Sequence, residues 1–164
     1  MDKNCNEFVH LHVHTFWSLL DGQCKPIELV KRAKELGYKA IATTDHGTTA
    51  GLVEMYRICQ DEGIKFIPGC EVYTCDNMLL KDNDHKHRNH LILLAKNYTG
   101  YKNLLKLTTI GNIIGKYYKP RVDDTALFAH SEGLIVLSAC RAGIIPEYIL
   151  AGNIDKAIEK AVMY

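Results

Sequence analysis

Phe8-Val9-His10-Leu11-His12-Val13-His14-Thr15-Phe16-Trp17-Ser18 sets three histidines, each two residues apart, into a run that otherwise reads as a buried β-strand. In an extended strand residues i and i+2 share a face, so His12 and His14 present two imidazoles side by side while Leu11 and Val13 point the other way into apolar packing. Imidazole is the commonest neutral ligand for zinc and also suits manganese or iron, so this pair is half of a tetrahedral ligand set. A lone His-x-His also occurs on surface strands, and its meaning depends on what the rest of the chain supplies.

From this strand, over residues 8–13, the chain alternates strand and helix, the pattern of an α/β protein with a mostly parallel sheet. Pro26 fits as the first residue of a helix through 27–36, stopped by Gly37, and residues 38–43 form the second strand. Thr48 or Thr49 caps a helix running from Leu52 to Glu62, with Gly63 as its stop. Residues 65–67 and 71–74 are extended, with a bend at Pro68-Gly69. Residues 75–88 are charged and polar and read as an exposed loop. A buried strand begins at His90, followed by an amphipathic helix over 97–115, a turn at 117–121, a strand over 133–140, and helices over 144–150 and 155–163.

The chain has 164 residues, 47% of them hydrophobic, enough for the core of one domain. With 20 basic and 19 acidic residues the net charge is +1, so overall charge argues for neither nucleic acid nor membrane. The six cysteines, Cys5, Cys24, Cys59, Cys70, Cys75 and Cys140, form no Cys-x-x-Cys pair, and no apolar leader follows Met1. They are expected as reduced thiols in a cytoplasmic protein. The apolar runs fall far short of the roughly 20 residues a membrane span requires, so no membrane role is expected.

In parallel α/β proteins functional residues gather at the carboxyl ends of strands. His12 and His14 fall there, as do Asp21 in the next loop, Asp45 and His46 after the second strand, Glu71, and Cys140 after the last. His90 stands at the head of its run, so either that strand runs the other way or its start faces the site. Glu71, between Cys70 and Val72, is a charge in an apolar strand, costly unless paired or bound to metal. Asp21 before Gly22 reads as a turn residue or a ligand, Asp45 as a helix cap or a member of the site, and Cys140 as a buried thiol or a ligand. His10 reads as a polar residue satisfied in the core, and His85 and His87 as solvent-exposed.

These motifs resemble the polymerase and histidinol phosphatase (PHP) domain, and within that family the version at the N-terminus of bacterial replicative DNA polymerase III alpha subunits. The resemblance rests on Phe8 to Thr15 with Ser18-Leu19-Leu20-Asp21-Gly22, on Thr44-Asp45-His46-Gly47, on Gly63 to Tyr73, on His90 to Tyr101, on Tyr118-Lys119-Pro120-Arg121, and on Leu137-Ser138-Ala139-Cys140. It implies a distorted seven-stranded βα barrel, truncated at its C-terminal end in this chain, with two or three divalent transition metals, zinc or manganese, at the strand ends. By resemblance His12, His14 and a bridging Glu71 serve one metal, Glu71, His90 and Cys140 a second, and Asp21 and His46 a third. Trp17 departs from the smaller aromatic usual in the polymerase branch. The family's late Asp-x-His motif does not follow Cys140, and the last helix reaches Tyr164 without a cap. Residues 1–164 are therefore expected to be a single PHP domain and the N-terminal fragment of a longer polymerase.

The same resemblance implies metal-dependent phosphoester hydrolysis inside a DNA-directed DNA polymerase, as a proofreading 3′ to 5′ exonuclease. Glu71, Asp45 and Arg121 are its catalytic candidates, with Arg88, Lys119 and Arg121 as phosphate helpers and DNA and other replicase subunits as partners. Two alternatives stand beside it: an inactive structural domain that docks a proofreading partner, and a stand-alone phosphatase for a small ester such as histidinol phosphate. The Tyr-Lys-Pro-Arg turn after the long helix favours the polymerase branch.

Overall fold

Lys65–Thr74 forms one strand of ten residues, β2, whose two halves take different partners. Residues 65–68 pair in parallel with β1 (Ala40–Thr43), and residues 69–74 pair antiparallel with β3 (Asn89–Ala95). The Pro68-Gly69 step is thus a change of partner inside a continuous strand, where a bend was expected. Gly69 permits it, because a Cβ there would lie 2.9 Å from the Thr43 carbonyl oxygen and 2.8 Å from that of Leu93. On the far edge of β3 lies β5 (Leu134–Leu137), antiparallel, while the two-residue β4 (Arg121–Val122) runs parallel to the end of β2. The sheet is mixed α/β rather than mostly parallel. The polar loop at 75–88 contains no helix, and without a crossover helix the chain returns antiparallel.

The computed structural model describes residues 8–164; Cys5 lies outside them. The histidine-rich segment is not a strand, which corrects the expectation for 8–13. It runs beside β1 on two main-chain bonds, Ala42 N–H to His10 O at 3.1 Å and Thr44 N–H to Val13 O at 2.8 Å. Two residues advance on β1 while three advance on the segment, and that extra residue breaks the ladder as a bulge does. Strict alternation fails with it. Leu11 is exposed instead of packed, and His10 lies at the surface against Phe8 and Tyr38, with ring centroids at 4.8 and 5.5 Å, rather than in the core.

Helix α1 (Pro26–Glu35) starts on its proline, buries Pro26, Val30 and Ala33 along one stripe, and ends before Gly37 at φ 79°. Helix α2 (Leu52–Glu62) closes on Gly63 at φ 71°, as expected; its N-cap position is Gly51, and neither Thr48 nor Thr49 caps it. Asn97 caps α3 (Tyr98–Ile113) by accepting from Gly100 N–H at 2.9 Å. The short β4 and α4 (Asp124–Ala129, capped by Asp123) were not foreseen, being too brief to show a period. Helices α5 (Ile144–Leu150) and α6 (Ile154–Met163) complete the described chain. Among the described residues no helix is long and apolar enough to cross a membrane.

Period-two alternation along β2 and β3 sorts their side chains onto two faces. Cys70, Val72, Leu91 and Leu93 pack with Leu104 and Leu107 of α3 in the main core. The other face carries Glu71 opposite Ile92 and Tyr73 opposite His90, above an apolar floor of Ala42, Ile92 and Leu94. Because β3 is antiparallel, its head meets the tail of β2. His90 therefore reaches the site because its strand runs the other way.

Candidate metal centre

The parallel register of β1 and β2 continues past the strand, so that His46 sits opposite Glu71, with Gly47 N–H donating to Glu71 O at 2.8 Å and Glu71 N–H to Asp45 O at 3.1 Å. Glu71 is 1% exposed and four imidazoles converge on it. His12 Nε2 lies 2.5 Å and His14 Nε2 3.2 Å from Oε2, while His46 Nδ1, at 3.1 Å, and His90 Nδ1 approach Oε1. One carboxylate thus divides its oxygens between two groups, His12 with His14 and His46 with His90, whose ligand atoms each lie within 4.8 Å of one another.

Burial alone would raise the Glu71 carboxyl, but the imidazoles of His14, His46 and His90 crowded against it outweigh burial and hold the group far below the usual carboxylate range. The Glu71 carboxylate beside it raises His46 above its ordinary value against the effect of burial, and Asp21, with Oδ2 2.6 Å from His46 Nε2, adds to the rise. These contacts are nevertheless imperfect as hydrogen bonds. Glu71 Oε1 and His46 Nδ1 are both buried and neither has a hydrogen-bond partner, although they are 3.1 Å apart. His12 Nε2 and His14 Nε2 also stand 3.0 Å apart, nitrogen to nitrogen. Lone pairs crowded toward a shared point, with orphaned buried atoms among them, fit a bound cation, and the imidazole and carboxylate donors suit a borderline divalent metal.

Cys140 is exposed and its Sγ lies 3.7 Å from His90 Nδ1. It gets there because the segment after β5 folds back onto the head of β3, with His90 N–H donating to Ala142 O at 2.8 Å. Asp21 sits in a tight turn, where its own N–H and that of Gly22 both donate to Ser18 O. The structure brings together His12, His14, Glu71, His46, His90, Asp21 and Cys140. The expected grouping shifts in one respect, since His46 faces Glu71 and His90 as well as Asp21.

Asp45 and Arg121 do not join them. Asp45 is buried and caps no helix; its carboxylate accepts from Thr15 N–H at 2.6 Å, Thr15 Oγ1 at 2.8 Å and Ser18 Oγ at 2.8 Å, all within the histidine-rich motif. Arg121 is fully buried and donates to the carbonyls of Gly115, His85, Met78 and Leu80, which removes it as a phosphate helper. Arg88 and Lys119 do lie near the site, flanking the Tyr73 ring at 5.7 and 5.8 Å, and that ring stacks along His46 at 6.0 Å. His85 and His87 are exposed, paired with Asp82 and Glu147. Thr15, Ser18 and Tyr73 were missed as contributors; the signal for Thr15 and Ser18 was small hydroxyl residues following His14 inside the motif. Trp17 holds the segment to α2, donating from Nε1 to Glu54 Oε2 at 2.8 Å and covering Gly51 so closely that a Cβ there would meet its Cδ1 at 2.5 Å.

A cavity of about 370 Å³ opens beside His12 and His14, walled by Leu29, Arg32, Leu36 and Tyr38. A larger groove of about 680 Å³, lined by Leu52, Tyr56, Phe66 and Tyr98 among others, contains no histidine or carboxylate.

A family model described as the PHP domain matches residues 10–164. The DNA polymerase III subunit alpha of Treponema pallidum is 48% identical over 96% of this chain and 14% of its own length. That of Borreliella burgdorferi is 47% identical over 93% of this chain and 14% of its own, and that of Aquifex aeolicus 45% identical over the same shares. The chain therefore spans about one seventh of the curated relatives it matches. A solved amidohydrolase from Chromobacterium violaceum aligns over 60% of this chain and 32% of its own, at 26% identity and a TM-score of 0.43, too slight a likeness to bear on the site.

Proposed function

The chain belongs to the PHP-domain family, and from that membership we propose that it is the PHP domain of a bacterial replicative DNA polymerase III alpha subunit, carrying a metal-dependent phosphoesterase site. One observation carries the reading: four imidazoles converge on a single buried carboxylate with orphaned lone pairs. His12, His14 and Glu71 would hold one divalent metal and Glu71, His46 and His90 a second, with Asp21 and Cys140 at the margins, and zinc or manganese fits these donors. Such ions act as Lewis acids toward a phosphoryl group and lower the pKa of water. The chain's own residues supply the rest. Glu71 neutralises charge and ties the two groups together, Tyr73 stacks against His46, and Arg88 and Lys119 offer positive charge to a phosphate at the mouth.

The same proposal takes residues 1–164 as one domain of a longer cytoplasmic polymerase chain and its finer architecture as the seven-stranded barrel. It takes a mispaired 3′ DNA end as substrate, and DNA and other replicase subunits as partners. The curated relatives support the polymerase branch over a stand-alone phosphatase. Elemental analysis of the natural-length polymerase after zinc- and manganese-replete expression tests the reading. Two or three ions per molecule are expected, and none would overturn it. A second arm follows 3′ to 5′ hydrolysis of a mispaired primer with the ions present and after chelation.

A further inference from the structure

Ser18 is 1% exposed, and its hydroxyl stands at the junction of three groups. It donates to Asp45 Oδ1 at 2.8 Å, accepts from the His46 N–H at 3.1 Å, and lies 3.3 Å from His14 Nδ1. A serine hydroxyl has one proton and two lone pairs. Asp45 fixes where the proton goes, because an ionised carboxylate can only accept and its Oδ1 lies 2.8 Å from the Ser18 hydroxyl. With the proton committed, Ser18 can meet His14 only as an acceptor, and His14 must carry its hydrogen on Nδ1.

We propose that Ser18, oriented by Asp45, fixes His14 in the Nδ1–H tautomer and so leaves Nε2 bare toward Glu71 as a ligand atom. The two are a positioning pair, which gives the buried Asp45 its work, and the inference builds on the metal-site reading above. The same hydroxyl anchors the main chain of His46, whose ring stacks on His14 at 4.1 Å and 14°, so one serine registers a residue from each half of the site. In metal proteins a ligating histidine commonly gives its other N–H to such a partner, and removing that partner weakens metal binding about 10- to 100-fold.

The test is nitrogen NMR of histidine-labelled, metal-free protein at about pH 8.5, where an ordinary imidazole is neutral, compared with Ser18→Ala and Ser18→Thr. The expected result is a protonated Nδ1 on His14 in the parent and in the threonine variant, and a shift toward Nε2–H in the alanine variant. Zinc titration should weaken about 10- to 100-fold in Ser18→Ala and recover in Ser18→Thr. An Nε2–H tautomer in the parent overturns the proposal, and this arm stands even if the alanine variant fails to fold. An Nδ1–H that survives Ser18→Ala overturns it as well. Failure of the parent to take up zinc with its Nδ1–H intact would instead defeat the metal reading and leave the tautomer assignment supported.

Discussion

Glu71 and Arg121 are both buried charges, 1% and 0% exposed, and they sit on paired strands, with Arg121 in register with Tyr73, two residues along β2 from Glu71. Their surroundings are opposite in kind. Arg121 spends its guanidinium on four main-chain carbonyls, which are fixed, uncharged and not titratable, and so stitches the 75–88 loop to the end of α3. Glu71 is surrounded by side chains that can exchange protons, and one of its oxygens has no hydrogen-bond partner. A buried charge satisfied by backbone is a structural clamp; one left among under-satisfied imidazoles is prepared for a ligand.

The widest separation between the two should come from Arg121→Met. Several buried carbonyls lose their donor at about 1–3 kcal/mol each, so unfolding free energy should fall by about 3 kcal/mol or more in urea denaturation, while metal content per folded molecule stays unchanged. Lysine should rescue little, because an ammonium cannot span four acceptors in a plane. Parallel loss of metal would show that the clamp and the centre are one unit. Glu71→Gln should do the reverse. Metal-free stability should fall by what the depressed carboxylate contributes, while both histidine groups lose affinity together, read as metal content falling by both ions. Loss of one ion only would break the bridging assignment.

A subtler contrast lies in pH. The Glu71 carboxyl is depressed, so its stabilisation is present above the unfolded value of about 4.3 and is lost as pH falls below it. His46 is raised, so its contribution is full below about 6.5 and is lost as pH rises through its folded value. The metal-free protein should therefore have a higher urea midpoint at about pH 5.5 than at about pH 8.5. Saturating zinc should invert that order, because the metal needs deprotonated imidazoles. Arg121→Met should lower the midpoint at both pH values without altering the difference between them, and a changed difference would couple the two regions.

How much of this was legible in the sequence follows the same division. Glu71 stood out because a lone carboxylate between Cys70 and Val72 breaks an apolar pattern, and His90 because it heads an apolar run, with the direction of its strand left open. The clamp was illegible. Arg121 reads as a phosphate helper in a polar turn, and only the long-range return of the 75–88 loop buries it. The bulge between His10 and Val13 was equally hidden, because two hydrogen bonds to β1 leave no trace in periodicity. Asp45 was visible as a candidate, but its assignment turned on hydroxyls thirty and twenty-seven residues away in sequence.

The smallest expected effect on stability belongs to Cys140→Ser, and it probes the rim of the centre. Cys140 is exposed, its Sγ makes one contact of 3.7 Å with His90, and a surface change of this kind is worth about 0.5 kcal/mol or less. Its position beside His90 gives the second group a soft donor that the first group lacks. Sulfur favours zinc and cobalt over manganese, so the serine variant should lose zinc affinity while keeping manganese affinity nearly unchanged. Cobalt gives a direct reading, since a sulfur-to-cobalt charge-transfer band in the near ultraviolet should be present in the parent and absent in Cys140→Ser. A parent without that band would leave the second group as His46, Glu71 and His90 alone. The contrast with Arg121 would then hold for nitrogen and oxygen donors only.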